Sequence, residues 1–91
     1  MSLKLVWEPK KIGTVEIPNR VVRTANTTTL FPDSVNDEFI AFHRARARGG
    51  VGLSILEAGS VHPNSQLSYS IDNKAVRGFE RLMAEIRPYG M

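Results

Sequence analysis

Cysteine is absent from this sequence of 91 residues, and histidine occurs only twice. The missing cysteine excludes a disulfide framework, a thiolate metal site and covalent thiol chemistry within these residues. Two histidines without cysteine also make a poor ligand set for a dedicated zinc site. We therefore expect no metal site in this chain.

Long apolar runs are also missing from the sequence. It contains no window of about 18 apolar residues, the length that a membrane-spanning helix requires. The opening stretch MSLKLVWEPKK lacks the apolar core and the small-residue cleavage site of a secretory signal. We therefore expect a cytoplasmic protein with no membrane partner.

The composition is that of a globular protein with an excess of basic residues. Apolar residues make up 42% and charged residues 23% of the chain, which indicates a packed protein. The net charge of +3 and the cluster of Arg44, Arg46 and Arg48 invite a nucleic-acid-binding interpretation. However, the cluster falls at the C-terminal end of a predicted helix, where the helix dipole favours cations. We favour this helix-end explanation and expect no nucleic-acid partner.

The order of turn residues and apolar runs predicts a hairpin followed by alternating strands and helices. Residues 1–19 carry turn residues at Pro9, Gly13 and Pro18 around the alternating run TVEI, which predicts a small β-hairpin or cap. A short buried strand is predicted next, over residues 21–25.

Two helices are predicted, with a second strand between them. The first helix begins after Asn36, whose side chain can cap free N–H groups, and ends at the glycine pair 49–50. Residues 51–58, VGLSILEA, are typical of a strand covered on both faces. The second helix is capped by Asp72 or Asn73, and Pro88 ends it.

Each predicted helix has an apolar stripe along one side. The stripe residues are Phe39, Ile40, Phe42 and Ala47 in the first helix and Val76, Phe79, Leu82, Met83 and Ile86 in the second. His43 is interpreted as a residue of the helix surface and His62 as a loop residue, both without a catalytic role.

Polar clusters follow both predicted strands. Strand–helix alternation predicts βα units with parallel strands, and ligands of such folds gather at the carboxyl ends of the strands. Residues 24–28 and 57–60 lie at those ends. The threonines of RTANTTTL, residues 23–30, are either turn-forming residues that close a strand or polar groups offered to a ligand. Glu57 is either a site residue or a strand-end carboxylate paired with a neighbouring arginine, and we favour the second interpretation.

Three blocks of the sequence follow one another along the chain: WEPKKIGTVEIPNRVV, FIAFHRARARGGVGLSILEAGSVHP and GFERLMAEIRPYG. Taken in this order, they resemble the N-terminal part of the Old Yellow Enzyme family of FMN-dependent NADH:flavin oxidoreductases. The stretch LSYSIDNKAVRGF is similar to the larger members, those like dienoyl-CoA reductase and trimethylamine dehydrogenase, which add an iron–sulfur cluster and an FAD domain. The resemblance implies an α/β chain that forms a hairpin cap (residues 1–19) and the first two βα units (residues 20–91) of an incomplete (β/α)8 TIM barrel.

The resemblance also implies which residues approach the cofactor. The end of the first strand lines the flavin edge in this family, and the matching residues are Thr24, Ala25, Asn26 and Thr27. Thr27 would lie near flavin N5 and O4, and Ala58, on the second strand, near the pyrimidine end. Ala25 and Asn26 stand where the family usually has proline and methionine. Because some relatives attach FMN through a cysteine at the position of Thr27, the absence of cysteine implies non-covalent FMN.

By the same resemblance, the full-length protein transfers hydride from NAD(P)H through flavin to an activated alkene, such as an enone or a dienoyl thioester. The catalytic residues and the phosphate site of the family lie beyond these residues, so we expect a fragment that is inactive by itself. The alternative is a non-catalytic βα module that functions only by associating with itself or with another chain through exposed sheet edges.

Overall fold

The computed structural model describes residues 3–28, 35–62, 64 and 72–91. Within them the chain forms a small mixed α/β arrangement. Its elements are a 3-10 helix at Lys4–Trp7, strands β1 (Lys10–Ile12), β2 (Val15–Ile17) and β3 (Val22–Arg23), helix α1 (Asp37–Arg48), strand β4 (Leu53–Ser54), helix α2 (Asn73–Ile86) and a 3-10 turn at Arg87–Tyr89. Residues 29–30 of the threonine-rich stretch and 67–71 of LSYSIDNKAVRGF lie outside the described residues.

The predicted N-terminal hairpin is confirmed. Strands β1 and β2 pair antiparallel, with Lys10 opposite Ile17 and Ile12 opposite Val15. The turn between them uses a left-handed backbone at Gly13, with φ of 62°, which glycine adopts without steric cost. Most of the hairpin is exposed and only Ile17 of the two strands is buried, so the hairpin adds little to the main hydrophobic core.

Asn19 fastens the segment after the hairpin to the connection between α1 and β4. Its Nδ2 donates a hydrogen bond of 2.7 Å to the carbonyl of Gly50. Its Oδ1 accepts one of 2.9 Å from the backbone N–H of Val21. The side chain is buried, so these two bonds satisfy a polar group that would otherwise be costly to remove from water.

Strands β3 and β4 pair in parallel, as the predicted strand–helix alternation requires. Val22 lies opposite Leu53 and Arg23 opposite Ser54, and the ladder ends where the N–H of Ile55 donates to the carbonyl of Arg23 at 2.9 Å. Both strands are shorter than the predicted spans of residues 21–25 and 51–58. The described residues give each strand a single ladder neighbour, and the backbone leaves the extended ladder as soon as that pairing stops.

Helix α1 begins and ends where the sequence predicts. The side chain of Asn36 accepts a hydrogen bond of 2.9 Å from the N–H of Phe39, and Asp37 and Glu38 lie in the first turn, where the dipole favours them. Gly50 follows the helix with φ of 103°, a conformation that disfavours other residues.

Helix α2 is capped by Asp72, whose carboxylate accepts a hydrogen bond of 2.9 Å from the N–H of Ala75. It ends at Ile86, immediately before the 3-10 turn that contains Pro88, as predicted. Its buried face differs from the predicted stripe. The buried residues are Ala75, Gly78, Leu82 and Ile86, whereas Val76 and Met83 of the predicted stripe are 56% and 37% exposed.

The hydrophobic core lies between the two helices. Its buried members are Val35, Phe39, Ile40, Ala47, Ala75, Leu82 and Ile86, and Phe42, Leu56, Phe79 and Met91 pack against them. Two ion pairs also connect the helices: Arg44 with Glu85 at 3.1 Å, and Arg81 with Asp37. Among the residues that the structure describes, neither helix has the length and apolar character to cross a membrane.

Candidate functional site

The two polar clusters predicted at the strand ends meet in the structure. Glu57, which follows β4, accepts hydrogen bonds from Thr28, which follows β3. The backbone N–H of Thr28 lies 3.1 Å from Glu57 Oε2, and the Thr28 hydroxyl lies 3.3 Å from Oε1 and 3.4 Å from Oε2. Because carboxyl ends of parallel strands share one edge of a sheet, the segments after β3 and β4 form a single polar edge.

Glu57 is only 2% exposed, although it carries a carboxylate. Burial of a carboxylate is unfavourable unless donors replace the lost water, and Thr28 provides two such donors, its N–H and its hydroxyl. The favoured interpretation of Glu57 as a strand-end carboxylate named an arginine as its partner. The hydrogen bonds described for its carboxylate come from a threonine on the neighbouring segment, and the arginine partner stays a prediction.

The candidate cofactor residues lie on the exposed side of the same edge. Thr24, Ala25, Asn26, Thr27 and Ala58 are all exposed. Their backbone neighbours fix their place, since Thr27 directly precedes Thr28 and Ala58 directly follows Glu57. The structure thus gathers the candidate residues around one hydrogen-bonded contact and leaves the residues themselves exposed.

A local hydrogen bond shapes the segment after β3. The Nδ2 of Asn26 donates to the carbonyl of Thr24 at 3.2 Å, which is the kind of short-range side-chain contact that closes turns. The Asn26 side chain thus makes a short-range contact, whereas Thr28 uses its hydroxyl for a long-range contact with Glu57. Neither contact involves a ligand, so both interpretations of the string stay predictions.

His43 is buried, and the prediction that it lies on the helix surface is wrong. It is 0% exposed, and its ring packs against Phe39 at 4.6 Å and Phe42 at 5.2 Å between centroids. The signal was present in the sequence, because Phe39, His43 and Ala47 are spaced by four residues and so share one helix face. Polarity of the side chain alone suggested the surface.

The environment of His43 strongly favours its neutral form. Burial, together with the charges of Arg23 and Arg46, lowers the pKa of His43 from 6.5 to about 4, and the carboxylate of Glu57 opposes this shift. Neither ring nitrogen has a hydrogen-bond partner among the described residues. His43 therefore behaves as a buried neutral imidazole at physiological pH.

His43 also lines a cavity of about 230 Å³ between α1, β4 and α2. Ser54, whose hydroxyl oxygen is buried without a partner among the described residues, lines it too. The rest of the lining is apolar: Leu53, Leu56, Leu82, Met83, Ile86 and Met91. The lining of this cavity includes none of the candidate cofactor residues, and it suits apolar packing.

Arg46 of the arginine cluster has a local packing partner in Phe42, which Arg23 also approaches. The guanidinium carbon of Arg46 lies 3.4 Å from the centroid of the Phe42 ring, and that of Arg23 lies 5.3 Å from it. Arg46 also donates to the carbonyl of Phe42 at 3.0 Å. These contacts give Arg46 a cation–π and helix-terminal role.

The described residues contain no group of three or more histidine, aspartate or glutamate side chains able to hold a metal ion. His62 is exposed, as predicted for a loop residue, and its Nδ1 accepts a hydrogen bond of 3.1 Å from the N–H of Asn64.

No protein-family model matches the chain. However, the chain is similar in sequence to individual proteins. The chain is 30% identical over 97% of its length to a metal reductase of Desulforamulus reducens. It is 28% identical over 93% of its length to a 4,4'-dithiodibutanoate disulfide reductase of Rhodococcus erythropolis, and 39% identical over 88% to an NADH oxidase of Thermoanaerobacter brockii.

These similarities relate the chain to oxidoreductases, since all of the named relatives carry out redox reactions. The chain spans only a small part of each relative: 14% of the metal reductase, 22% of the disulfide reductase and 13% of the NADH oxidase.

Proposed function

We propose that this chain forms part of the FMN-binding edge of a larger NAD(P)H-dependent oxidoreductase of the Old Yellow Enzyme type. In this proposal residues 1–19 form a cap, and residues 20–91 form the first two βα units of a (β/α)8 barrel. The observation that carries the proposal is the junction of Thr28 with Glu57, which brings the candidate residues after β3 and β4 to one edge. The redox relatives support the same class of reaction.

The residues at this edge fit a planar ring. Ala25 and Ala58 are exposed and have small side chains, so a ring can approach the backbone N–H and carbonyl groups beside them. The exposed hydroxyl of Thr27 is a donor that can stabilise negative charge on the edge of a bound ring. Non-covalent binding is proposed because the chain has no cysteine.

FMN, when bound, supplies hydride transfer between NAD(P)H, which is oxidised, and an activated alkene, which gains the hydride and a proton. The residues of this chain would bind and orient the ring. We propose an enone or a dienoyl thioester as the acceptor on the basis of the family resemblance. An iron–sulfur cluster and an FAD domain, as in the larger members, would lie outside these residues.

Flavin content tests the proposal. The 91-residue chain and a full-length protein that contains it are purified with added FMN and passed through gel filtration. We expect the chain alone to emerge without flavin, because it holds only part of the site. The full-length protein should emerge yellow, with a flavin spectrum that NADH bleaches. A full-length protein that remains colourless after loading would contradict the proposal.

The contribution of Thr27 has its own test in the flavin-loaded protein. Thr27→Ala removes one hydrogen-bond donor, so we expect a lower flavin reduction potential and slower reduction by NADH. In the best oxyanion sites one donor is worth about 2.7–4 kcal/mol, or about 10²–10³-fold in rate, and the effect is smaller where other donors remain. Thr14→Ala, in the turn of the hairpin, is the matched control. Equal potentials and rates for both variants would show that Thr27 does not contact the flavin.

A second candidate function is a module that acts by association. It is favoured by a groove of about 440 Å³ along α2, whose lining includes Val76, Phe79 and Met83. Sedimentation of the isolated chain separates the two candidates. A discrete, flavin-free oligomer of the isolated chain would favour the module. A monomeric isolated chain, together with a full-length protein that binds flavin, would favour the oxidoreductase.

A further inference from the structure

The segment of residues 24–27 is anchored at both ends to the segment that follows β4. At its start, Arg23 is held to Ile55 by two hydrogen bonds: the N–H of Ile55 donates to the carbonyl of Arg23 at 2.9 Å, and the Arg23 guanidinium donates to the carbonyl of Ile55 at 3.4 Å. At its end, Thr28 donates to the carboxylate of Glu57.

The two segments between these anchors differ in length. Five residue steps lead from Arg23 to Thr28, about 17 Å of extended chain, whereas the two steps from Ile55 to Glu57 span about 7 Å. The longer segment therefore has more chain than a straight connection between the two anchors needs. Its residues 24–27, which we name the arch, are all exposed.

Glu57 suits this anchoring because a carboxylate has two acceptor oxygens and no donor. It accepts from both the N–H and the hydroxyl of Thr28, at 3.1 Å and 3.3 Å. A glutamine in its place would keep one acceptor oxygen for the Thr28 N–H, and its NH₂ group could donate to the Thr28 hydroxyl oxygen, so the contact would keep its shape but lose its charge. Charge-assisted hydrogen bonds are also stronger than neutral ones, and this one lies in a buried position.

We propose that Glu57 is a positioning residue that pins the arch, so that Thr27 and the backbone of Ala25 and Asn26 present fixed groups to a planar heterocyclic ligand. This inference rests on the proposed flavin site and adds to it a residue that does not itself touch the ligand. Glu57 acts through Thr28, and the length of the arch between its anchors sets how far the ligand-facing groups project.

Hydrogen exchange at the Thr28 amide tests whether Glu57 holds Thr28, and this measurement requires no bound flavin. Glu57→Gln should accelerate exchange at Thr28 by about tenfold, the effect of replacing a hydrogen bond to a charged acceptor by one to a neutral acceptor. Glu16→Gln, on the exposed surface of β2, is the matched control and should leave Thr28 unchanged. Equal exchange rates of the Thr28 amide in both variants would show that Glu57 does not hold Thr28.

The rate of flavin reduction tests the positioning role in the flavin-loaded full-length protein. Thr28→Val removes the hydroxyl but keeps the shape, and Thr28→Ser keeps the hydroxyl. At saturating NADH we expect Glu57→Gln and Thr28→Val to reduce bound flavin about tenfold more slowly, equivalent to about 1.4 kcal/mol. Thr28→Ser should restore the wild-type rate, and Thr14→Val, in the hairpin turn, should not change it.

A purely structural role would lower the melting temperature of Glu57→Gln and Thr28→Val without changing the reduction rate of the folded, loaded protein, and that result would overturn the proposal. If Glu57→Gln does not fold, the flavin reduction rates of Thr28→Val and Thr28→Ser decide whether the contact between Thr28 and Glu57 positions the arch. A wild-type protein that binds no flavin would instead overturn the proposed function, and hydrogen exchange would still decide whether Glu57 pins the arch.

Discussion

Helices α1 and α2 begin with the same kind of cap, but they bury different kinds of residue. Helix α1 buries large rings, Phe39 and His43, whereas α2 buries the small residues Ala75 and Gly78 beside Leu82. The apolar stripe of α2 is therefore divided between a covered side and an open side. Apolar spacing therefore predicts a helix with an apolar side, while the neighbouring elements determine which of those residues are covered.

Truncation at adjacent positions of α2 would give the largest effect and tests this division directly. Leu82→Ala removes a side chain that is 2% exposed, and we expect it to cost about 2–5 kcal/mol of the free energy of unfolding. Met83→Ala, one residue later on the open side, should cost about 1 kcal/mol or less, because part of that side chain stays in water. Urea unfolding followed by circular dichroism measures both. Equal losses would mean that the two sides of α2 are equally covered.

The buried histidine of α1 should make stability depend on pH. Burial and the charges of Arg23 and Arg46 lower the pKa of His43 to about 4 in the folded chain, against the opposing effect of Glu57. The unfolded chain therefore binds a proton first. The contribution of neutral His43 is complete above its ordinary pKa of 6.5 and is lost as the pH falls toward 4, a change on the order of 3 kcal/mol.

Replacement of His43 by leucine should remove this slope between pH 4 and 6.5 and raise stability at the acid end, because it deletes two buried nitrogens that lack partners in the described structure. His62→Gln, at an exposed position, should retain the slope. Thermal unfolding across this range provides the measurement. A slope that survives in His43→Leu would assign the pH dependence to other groups.

A smaller effect is expected where α2 approaches Val35, which precedes the N-cap of α1. A Cβ on Gly78 would lie 2.5 Å from Val35 Cβ and 2.8 Å from the Val35 carbonyl oxygen. Gly78→Ala should therefore cost about 1–3 kcal/mol through overpacking, despite the better helix propensity of alanine. Gly49→Ala is the matched control, since its nearest contacts of 3.4 Å and 3.5 Å are ordinary. A Gly78→Ala variant as stable as Gly49→Ala would show that the helices can separate without loss.

The smallest effect is expected at the caps, where the two helices are most alike. Asn36→Ala and Asp72→Ala each remove a hydrogen bond of 2.9 Å to a free helix N–H, and each should cost about 1 kcal/mol. Only the Asp72 cap carries a charge, so added salt should weaken its contribution more. Identical salt dependence of the two variants in urea titrations would contradict this difference.

Features set by a few neighbouring residues could be predicted from the sequence. The caps at Asn36 and Asp72, the end of α1 at its glycines and the turn at Gly13 depend on local backbone chemistry, and all are confirmed. The parallel pairing of β3 with β4 followed from the strand–helix alternation.

Features set by distant contacts could not be predicted in the same way. The short strands follow from where the ladder ends, and the burial of His43 depends on which side of α1 meets the core. The contact between Thr28 and Glu57 joins residues 29 positions apart. The sequence placed both at strand ends but did not indicate which side chains would meet.

The fit between Asn19 and Gly52 has a consequence for how relatives of this chain can vary. A Cβ on residue 52 would lie 2.5 Å from Asn19 Oδ1 and 2.6 Å from the Asn19 carbonyl oxygen, in the place where Asn19 also bonds Gly50. A larger residue at position 52 therefore requires a backbone shift or a different residue at position 19. We therefore expect positions 19 and 52 to change together among relatives, because a substitution at either position alone would disturb the docking of the hairpin segment.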